Sequence, residues 1–367
     1  MLPIRPHLSA MRPYSPGKPI EEVQREFGLT RVIKLASNEN PLGPSPLAIA
    51  AVEQAAREMH IYPDASSYRL VQAIAERYAV PADQVLFGNG SDELIHYLGL
   101  IFLNGPEDEM IVGDPSFVRY DASAQVVGAK LVKVPLDADL RHDLTAMAAA
   151  VTERTRMIWI ANPNNPTGTI VTRAEIDTLL ANTPAHVVVV LDEAYAEYAA
   201  DEPDYATSLD YLATERVVGL RTFSKAYGLA GIRVGFGFAP PAVVDAFQRV
   251  REPFNVNSLA QAAAIAALGD REHLAAGVKM NRESAAALME AFRAVGAKPV
   301  ASFANFVCAD MGQPGEPIFR ELLKRGVIVR SGHVLGLPNY LRVSCGTLAE
   351  VQEFASALRE VMSLATA

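Results

Sequence analysis

Cysteine is nearly absent from this chain. Two of its 367 residues, Cys308 and Cys345, are cysteines, too few for a disulfide framework or a cysteine-based zinc site. Such usage suits a reducing compartment, so a cytoplasmic protein is expected. Long apolar runs are missing too. No stretch approaches the roughly eighteen residues of a membrane span, and the opening "MLPIRPHLSAMRPYSPGKP" has no continuous apolar core of signal-peptide type. Positive charge is in deficit: 33 Lys and Arg stand against 42 Asp and Glu, for a net charge of -9. A nucleic-acid surface needs a basic patch against phosphates, so that class of partner is excluded. Nothing repeats at a fixed period, and no low-complexity linker interrupts the chain. What remains is half apolar and one-fifth charged, long enough for two domains or one large one with a sizeable core.

Helical patterns alternate with short apolar runs from about residue 46 onward. The runs are "QVLFG" (84–88), "EMIVG" (109–113), "KLVKV" (130–134), "RMIWIA" (156–161), "HVVVVL" (186–191), "RVVGL" (216–220) and "VGFGFA" (234–239). Strand-like runs separated by helices predict a largely parallel sheet covered on both faces. After residue 257 the texture changes. An alanine-rich helix, "SLAQAAAIAAL", is expected to stop at Gly269 as its C′ residue. Strand-like "NFVCAD", "VIVRS" and "YLRVSC" then interleave with two amphipathic helices. The expected division is an arm (1–44) carrying one helical patch, a large α/β domain (45–257) and a smaller α+β domain (258–367).

Ligands of open α/β sheets bind beyond the carboxyl ends of the strands, so the residues after each strand are the candidates. "NGSDELIHYL" follows the first run. Gly90, Ser91 and Asp92 open a helix there, and backbone N–H groups at a helix start favour an anion; a plain N-cap is the alternative. It is no dinucleotide fingerprint, because Glu93 stands where the third glycine belongs. Phe117, in "DPSFVRY", offers an aromatic face to a flat ligand, or simply fills a core. Asn165 lies in the stiff loop "NPNNPTG" and has an amide to offer. Asp192 and Tyr195 follow "HVVVVL". A carboxylate at the end of a buried strand is costly unless paired. It could hold magnesium, but no G-x-x-x-x-G-K-[ST] motif accompanies it, or it could partner a buried cationic ring nitrogen. Thr222, Ser224 and Lys225 follow "RVVGL", with Arg233 eight residues on. A lysine near apolar groups and other cations has a lowered pKa and can form a Schiff base; the two hydroxyls and Arg233 are phosphate donors. Each feature alone has an ordinary structural explanation. Five successive strand ends together match the needs of pyridoxal phosphate: phosphate donors, a ring stack, an amide for the ring hydroxyl, an acid for the ring nitrogen and a lysine. No metal is expected.

The set "NENPLGPSP", "YPD", "NPNNPTG", "DEAY", "SKAYGLAGIRVG" and "YLRVSCGT" resembles fold-type-I aminotransferases of the histidinol-phosphate aminotransferase group, over almost the whole chain. The resemblance implies pyridoxal 5'-phosphate held on Lys225, with Asp192 on the ring nitrogen, Asn165 and Tyr195 at the ring hydroxyl, and Phe117 against the ring. Gly90, Ser91, Asp92, Thr222, Ser224 and Arg233 would hold the phosphate. It further implies a homodimer with shared active sites, in which Tyr62 reaches the neighbouring subunit's cofactor phosphate. Arg342 would grip the substrate anion, helped by Arg330, Tyr14 and Asn38. The implied reaction is a ping-pong transamination from histidinol phosphate to 2-oxoglutarate. An aromatic amino acid donor, decarboxylation of threonine phosphate and a non-enzymatic cofactor-binding regulator stay open. "YPDAS" lacks the proline that often follows the aspartate in this group, and Ser344 and Cys345 replace residues usually different there.

Overall fold

The computed structural model describes residues 4–11, 13 and 17–365. After α1 (Ile20–Phe27) and the short β1 (Ile33–Lys34) come α2 (Pro46–Ala55), α3 (Tyr68–Tyr78), β2 (Val85–Gly88), α4 (Ser91–Phe102), β3 (Glu109–Asp114), α5 (Val118–Val127) and β4 (Lys130–Pro135). Next are α6 (Leu144–Ala149), β5 (Thr155–Ala161), α7 (Arg173–Asn182), β6 (Val188–Asp192), α8 (Ala196–Ala199), β7 (Val217–Thr222), β8 (Gly235–Phe238) and α9 (Pro241–Val250). The C-terminal part holds α10 (Ser258–Gly269), α11 (Arg271–Arg293), β9 (Lys298–Pro299), β10 (Phe306–Asp310), α12 (Gly315–Lys324), β11 (Val327–Ile328), β12 (Arg330–Ser331), β13 (Tyr340–Ser344) and α13 (Leu348–Ala365).

All seven apolar runs read from the sequence become strands of one sheet, in the order β2-β8-β7-β6-β5-β3-β4. The pairings from β7 to β4 are parallel. β8 runs antiparallel to both neighbours, β7 and β2, because the loop carrying Lys225 turns the chain straight back after β7. Period-two alternation sends Trp159, Val190 and Val218 to one face, where α4, α5 and α9 pack. Ile158, Ile160, Val189 and Leu191 go to the other, under α6 and α7. Burial on both faces is why these strands read as continuous apolar runs. A second sheet, β12-β13-β10-β9, is antiparallel and is covered by α11, α12 and α13.

Two expectations meet a more detailed picture. Gly269 is the last residue of α10 itself; Asp270 closes that helix with its backbone N–H on the Ala267 carbonyl and opens α11 with its carboxylate accepting from the His273 N–H. Further, α10 shares its core with α2, α3 and Phe223, Phe236 and Phe238 of the large sheet's edge. The alanine-rich helix therefore packs with residues N-terminal to it. The arm adds β1 as a parallel partner to β11, and α1 inserts Val23 beside Leu323 and Ile328.

Phe354 on α13 is fully buried and edge-on to Phe292 of α11, with ring centroids 5.5 Å apart. Truncation there removes an aromatic from a closed core. Phe354→Ala should lower the free energy of unfolding by about 3–5 kcal/mol, read as a fall in the urea midpoint. A loss under about 1 kcal/mol would mean that the site collapses around the gap.

Candidate active site

The strands β3, β5, β6 and β7 end side by side at Asp114, Ala161, Asp192 and Thr222, and open into a cavity of about 950 Å³. Its far wall comes from β12, β13 and residues 36–38 of the arm.

At one end of the cavity, α4 begins. Its N-cap is Gly90 at φ 78°, and no side chain caps the first turn, so N–H groups of the helix start are left for another acceptor. Gly90 is favoured by its φ of 78°, and it packs closely under Arg233, where a Cβ would lie 2.3 Å from Nη2 and push the guanidinium aside. The guanidinium of Arg233 donates to Ser224 Oγ (3.2 Å) and to the Ala230 carbonyl (3.2 Å), and lies 3.6 Å from Asp92. Thr222 Oγ1 accepts from the Ser224 N–H at 3.1 Å. Hydroxyls, helix N–H groups and a cation thus meet at one point.

Lys225 follows on the same loop. Its Nζ donates to the Ser37 carbonyl at 3.2 Å and stands 5.9 Å from the centre of the Tyr195 ring. Burial lowers its pKa to about 8, and the charge of Arg342 adds to the effect. Opposite charges at Glu39 and Asp92 only partly offset this. Its neighbour Ala226 is clamped by Asn40, whose side-chain N–H donates to the Ala226 carbonyl at 2.9 Å.

Asp192, 5% exposed, closes β6. Oδ2 accepts from the Tyr120 hydroxyl at 2.6 Å and Oδ1 from the Ala194 N–H at 3.1 Å. Burial raises its pKa to about 6 even so, with Asp92 and Glu193 adding to the rise. The adjacent Glu193 is handled differently. It forms a buried ion pair with Arg221 at 2.8 Å. Among the described residues no cation pairs with Asp192, so its charge is left facing the cavity for a cationic ligand.

The opposite wall carries two arginines. Arg342, 6% exposed, donates to Asn165 Oδ1 at 2.6 Å and to the Ala36 carbonyl at 2.8 Å. Arg330 sits directly across the β12–β13 ladder from it, and both line the cavity. Asn38, at φ 55°, bridges the walls: its side-chain N–H donates to the Tyr195 hydroxyl (2.9 Å) and its Oδ1 accepts from Ser344 Oγ (2.9 Å).

Ser91, Asp92, Phe117, Asn165, Asp192, Tyr195, Thr222, Ser224, Lys225, Arg233, Asn38, Arg330 and Arg342 all line this one cavity; Gly90 packs beneath Arg233. Tyr62 does not join them. It is 80% exposed and stacks on Phe254 with centroids 4.8 Å apart, outside the cavity of its own chain. Tyr14 lies outside the described residues. Sequence reasoning passed over Tyr120, Asn40 and the carbonyl of Ser37. Tyr120 had a signal: it lies three residues after Phe117 at the start of α5, the spacing that puts two side chains on one helix face.

A parallel sheet with a lysine, an unpaired carboxylate and an uncapped helix start at its carboxyl edge defines a cofactor-dependent group-transfer enzyme. Residues 30–358 match the family of class I and II aminotransferases, and the chain belongs to that family. It is 48% identical over 361 residues to histidinol-phosphate aminotransferase of Moorella thermoacetica, covering 98% of this chain and 93% of that one. It is 45% identical over 362 residues to histidinol-phosphate aminotransferase 2 of Carboxydothermus hydrogenoformans, covering 98% and 99%. Among solved structures, histidinol-phosphate aminotransferase from Sinorhizobium meliloti in complex with pyridoxal-5'-phosphate superposes with a TM-score of 0.92 at 28% identity, covering 100% of this chain and 99% of that one.

The lowered pKa of Lys225 gives a test that needs no substrate. Only the neutral amine attacks an aldehyde. Reductive methylation of the apoprotein by formaldehyde should therefore accelerate at Lys225 about tenfold per pH unit up to about 8 and level off above it. Lys133, which also lines the cavity but is exposed, keeps a raised pKa beside Asp121 and Asp114 and should react later. Peptide mapping after short exposures at pH 8 checks the order; equal labelling of the two would contradict it.

Proposed function

We propose that this protein is a pyridoxal-phosphate-dependent aminotransferase that takes the amino group of histidinol phosphate and passes it to 2-oxoglutarate in the cytoplasm. The observation that carries the reading is a convergence. A weakly basic lysine, a buried carboxylate without a cation, and an uncapped helix start with Arg233 all face one cavity. This donor set fits the cofactor. A phosphate satisfies the N–H groups that no side chain caps, beside the Arg233 guanidinium packed over Gly90. A cationic ring supplies the counter-charge that Asp192 lacks.

When bound, the cofactor supplies an aldehyde to hold an amine and a cationic ring that withdraws electrons from the substrate's α-carbon. The chain supplies the rest. Gly90, Ser91, Asp92, Thr222, Ser224 and Arg233 anchor the phosphate end, and Phe117 lies against the ring face. Asp192, as an anion, keeps a proton on the ring nitrogen. Asn165 and Tyr195 position the ring hydroxyl, with Asn38 orienting the Tyr195 hydroxyl. Lys225 Nζ would take the proton from the substrate's α-carbon and deliver it to the carbon on the other side of the amino nitrogen; an amine titrating near 8 is matched to that exchange. The facing pair Arg330 and Arg342 binds the phosphate of one substrate and a carboxylate of the other. Two anionic substrates in turn suit one arginine site in a ping-pong cycle.

The protein acts as a homodimer in this reading. Tyr62, Phe254, Met59, Ile61 and Tyr68 are all exposed apolar or aromatic side chains, and a second copy would cover them. From there Tyr62 reaches the partner's cofactor phosphate.

Borohydride reduction of the yellow holoenzyme followed by peptide mapping should find the cofactor on Lys225, and Lys225→Ala should lose turnover by several orders of magnitude. A cofactor fixed to any other lysine would end the proposal.

Arg342→Lys keeps a charge but loses the planar fork that serves Asn165, Ala36 and a ligand together. It should cost about 2–5 kcal/mol in kcat/KM for both histidinol phosphate and 2-oxoglutarate. Steady-state kinetics on the two, with phenylalanine and threonine phosphate alongside, decide the matter. Rates within twofold of wild type on both would move the anion site elsewhere.

A further inference from the structure

We infer that Tyr120 is a positioning residue: its hydroxyl, held by a stack on Trp159, keeps Asp192 ionised and directed into the cavity. The inference rests on the cofactor reading above and goes beyond it, because Tyr120 has no place in that donor set.

Three observations carry it. The Tyr120 hydroxyl donates to Asp192 Oδ2 at 2.6 Å, and the other carboxylate oxygen has one backbone N–H, from Ala194 at 3.1 Å. Tyr120 is fully buried and lies flat on Trp159, with ring centroids 4.7 Å apart and 22° between planes. Phe117, one turn earlier, meets it edge-on at 5.7 Å. The ring is therefore fixed from two sides, and its hydroxyl reaches one carboxylate. Trp159 lies on β5 opposite Val190 of β6, in the ladder that ends at Asp192. Stack and carboxylate thus share one rigid pair of strands.

The charges around Asp192 show why the hydrogen bond matters. Asp92 from α4 and Glu193 from its own strand end both disfavour its charged form, as does burial. Tyr120 from α5 and the Ala194 N–H favour it. Tyr195 follows on the same segment, and Lys225 lines the cavity with it. Removing the phenol would leave a buried carboxylate with a single donor. A protonated Asp192 offers no charge to a cationic ring, so the phenol acts on the cofactor through Asp192. Because burial and Asp192 itself push the phenol's pKa far up, it stays a donor across the working range.

Trp159 is the only tryptophan of the chain and lies directly beneath this pair, so its emission reports cofactor binding without turnover. Apoprotein is titrated with pyridoxal phosphate between pH 5 and 9, following quenching of that emission. In the wild type, affinity should fall as pH drops through about 6, where Asp192 takes up its proton. Tyr120→Phe keeps the ring and the stack. Its midpoint should rise by about one unit, so its affinity should drop about twofold at pH 7 and about tenfold at pH 5, the size of one charge-assisted hydrogen bond. Replacing Tyr120 alone by 3-fluorotyrosine retains ring and hydroxyl with a stronger donor, and should move the midpoint down. This second variant keeps the test open if the phenylalanine protein folds poorly. Adding Tyr120→Phe to Asp192→Asn should cost no further affinity, since the phenol acts through that carboxylate. A midpoint unmoved in both Tyr120 variants would overturn the inference and leave Tyr120 as packing. A wild type that binds no cofactor would overturn the function reading itself, and this inference with it.

Discussion

The site turns on one electrostatic constraint: a carboxylate, Asp192, buried at the end of a central strand with no cation of its own among the described residues. Next to it, Glu193 solves the same difficulty internally by pairing with Arg221 at 2.8 Å. Two adjacent acids on one strand end are thus treated in opposite ways. Glu193 is neutralised and becomes part of the scaffold. Asp192 is given two hydrogen bonds and left at a pKa near 6. That is high for an aspartate yet low enough to hold a charge at neutral pH. A ligand bearing a positive ring would complete what the fold leaves open, and binding and folding electrostatics would then be the same interaction seen from two sides.

The second organising feature is the segment from Ala36 to Asn40. It has almost no regular structure, yet it joins every wall of the cavity. The Ala36 carbonyl accepts from Arg342, the Ser37 carbonyl from Lys225, and Asn38 touches Tyr195 and Ser344. Asn40 holds the carbonyl of Ala226, one residue past the lysine. Irregular backbone whose carbonyls lie outside any ladder is well suited to this, since each carbonyl has a lone pair for a cation from a different element. Arg342 and Lys225 also share the same field: the guanidinium helps to lower the amine's pKa. A substrate anion bound at Arg342 would weaken that effect and draw the amine toward its protonated form, a coupling between anion binding and base strength.

Much of the fold was legible because burial leaves a direct trace in composition. Strands such as "RMIWIA" and "HVVVVL" are covered on both faces, so they read as unbroken apolar runs. Their order in the sheet left no such trace. The antiparallel turn of β8 between β7 and β2 follows from how the lysine loop folds back. The sharing of α10 with α2 and α3 follows from an apolar helix finding the nearest uncovered surface.

The chemistry divides along the same line. By itself the sequence determined the residue types at each strand end, since every strand must be followed by whatever occupies the sheet's carboxyl edge, and Lys225, Asp192, Asn165 and Arg233 each stand within a few residues of one. Only the tertiary structure decided the pairings across it. Tyr120 meets Asp192 from a helix seventy-two positions earlier, Ser344 meets Asn38 across 306 positions, and Arg330 meets Arg342 across a ladder. Such contacts depend on where a side chain points once helices are packed on the sheet. No local pattern carries that information, because hydrogen bonds and charges act through space while the sequence records only neighbours along the chain.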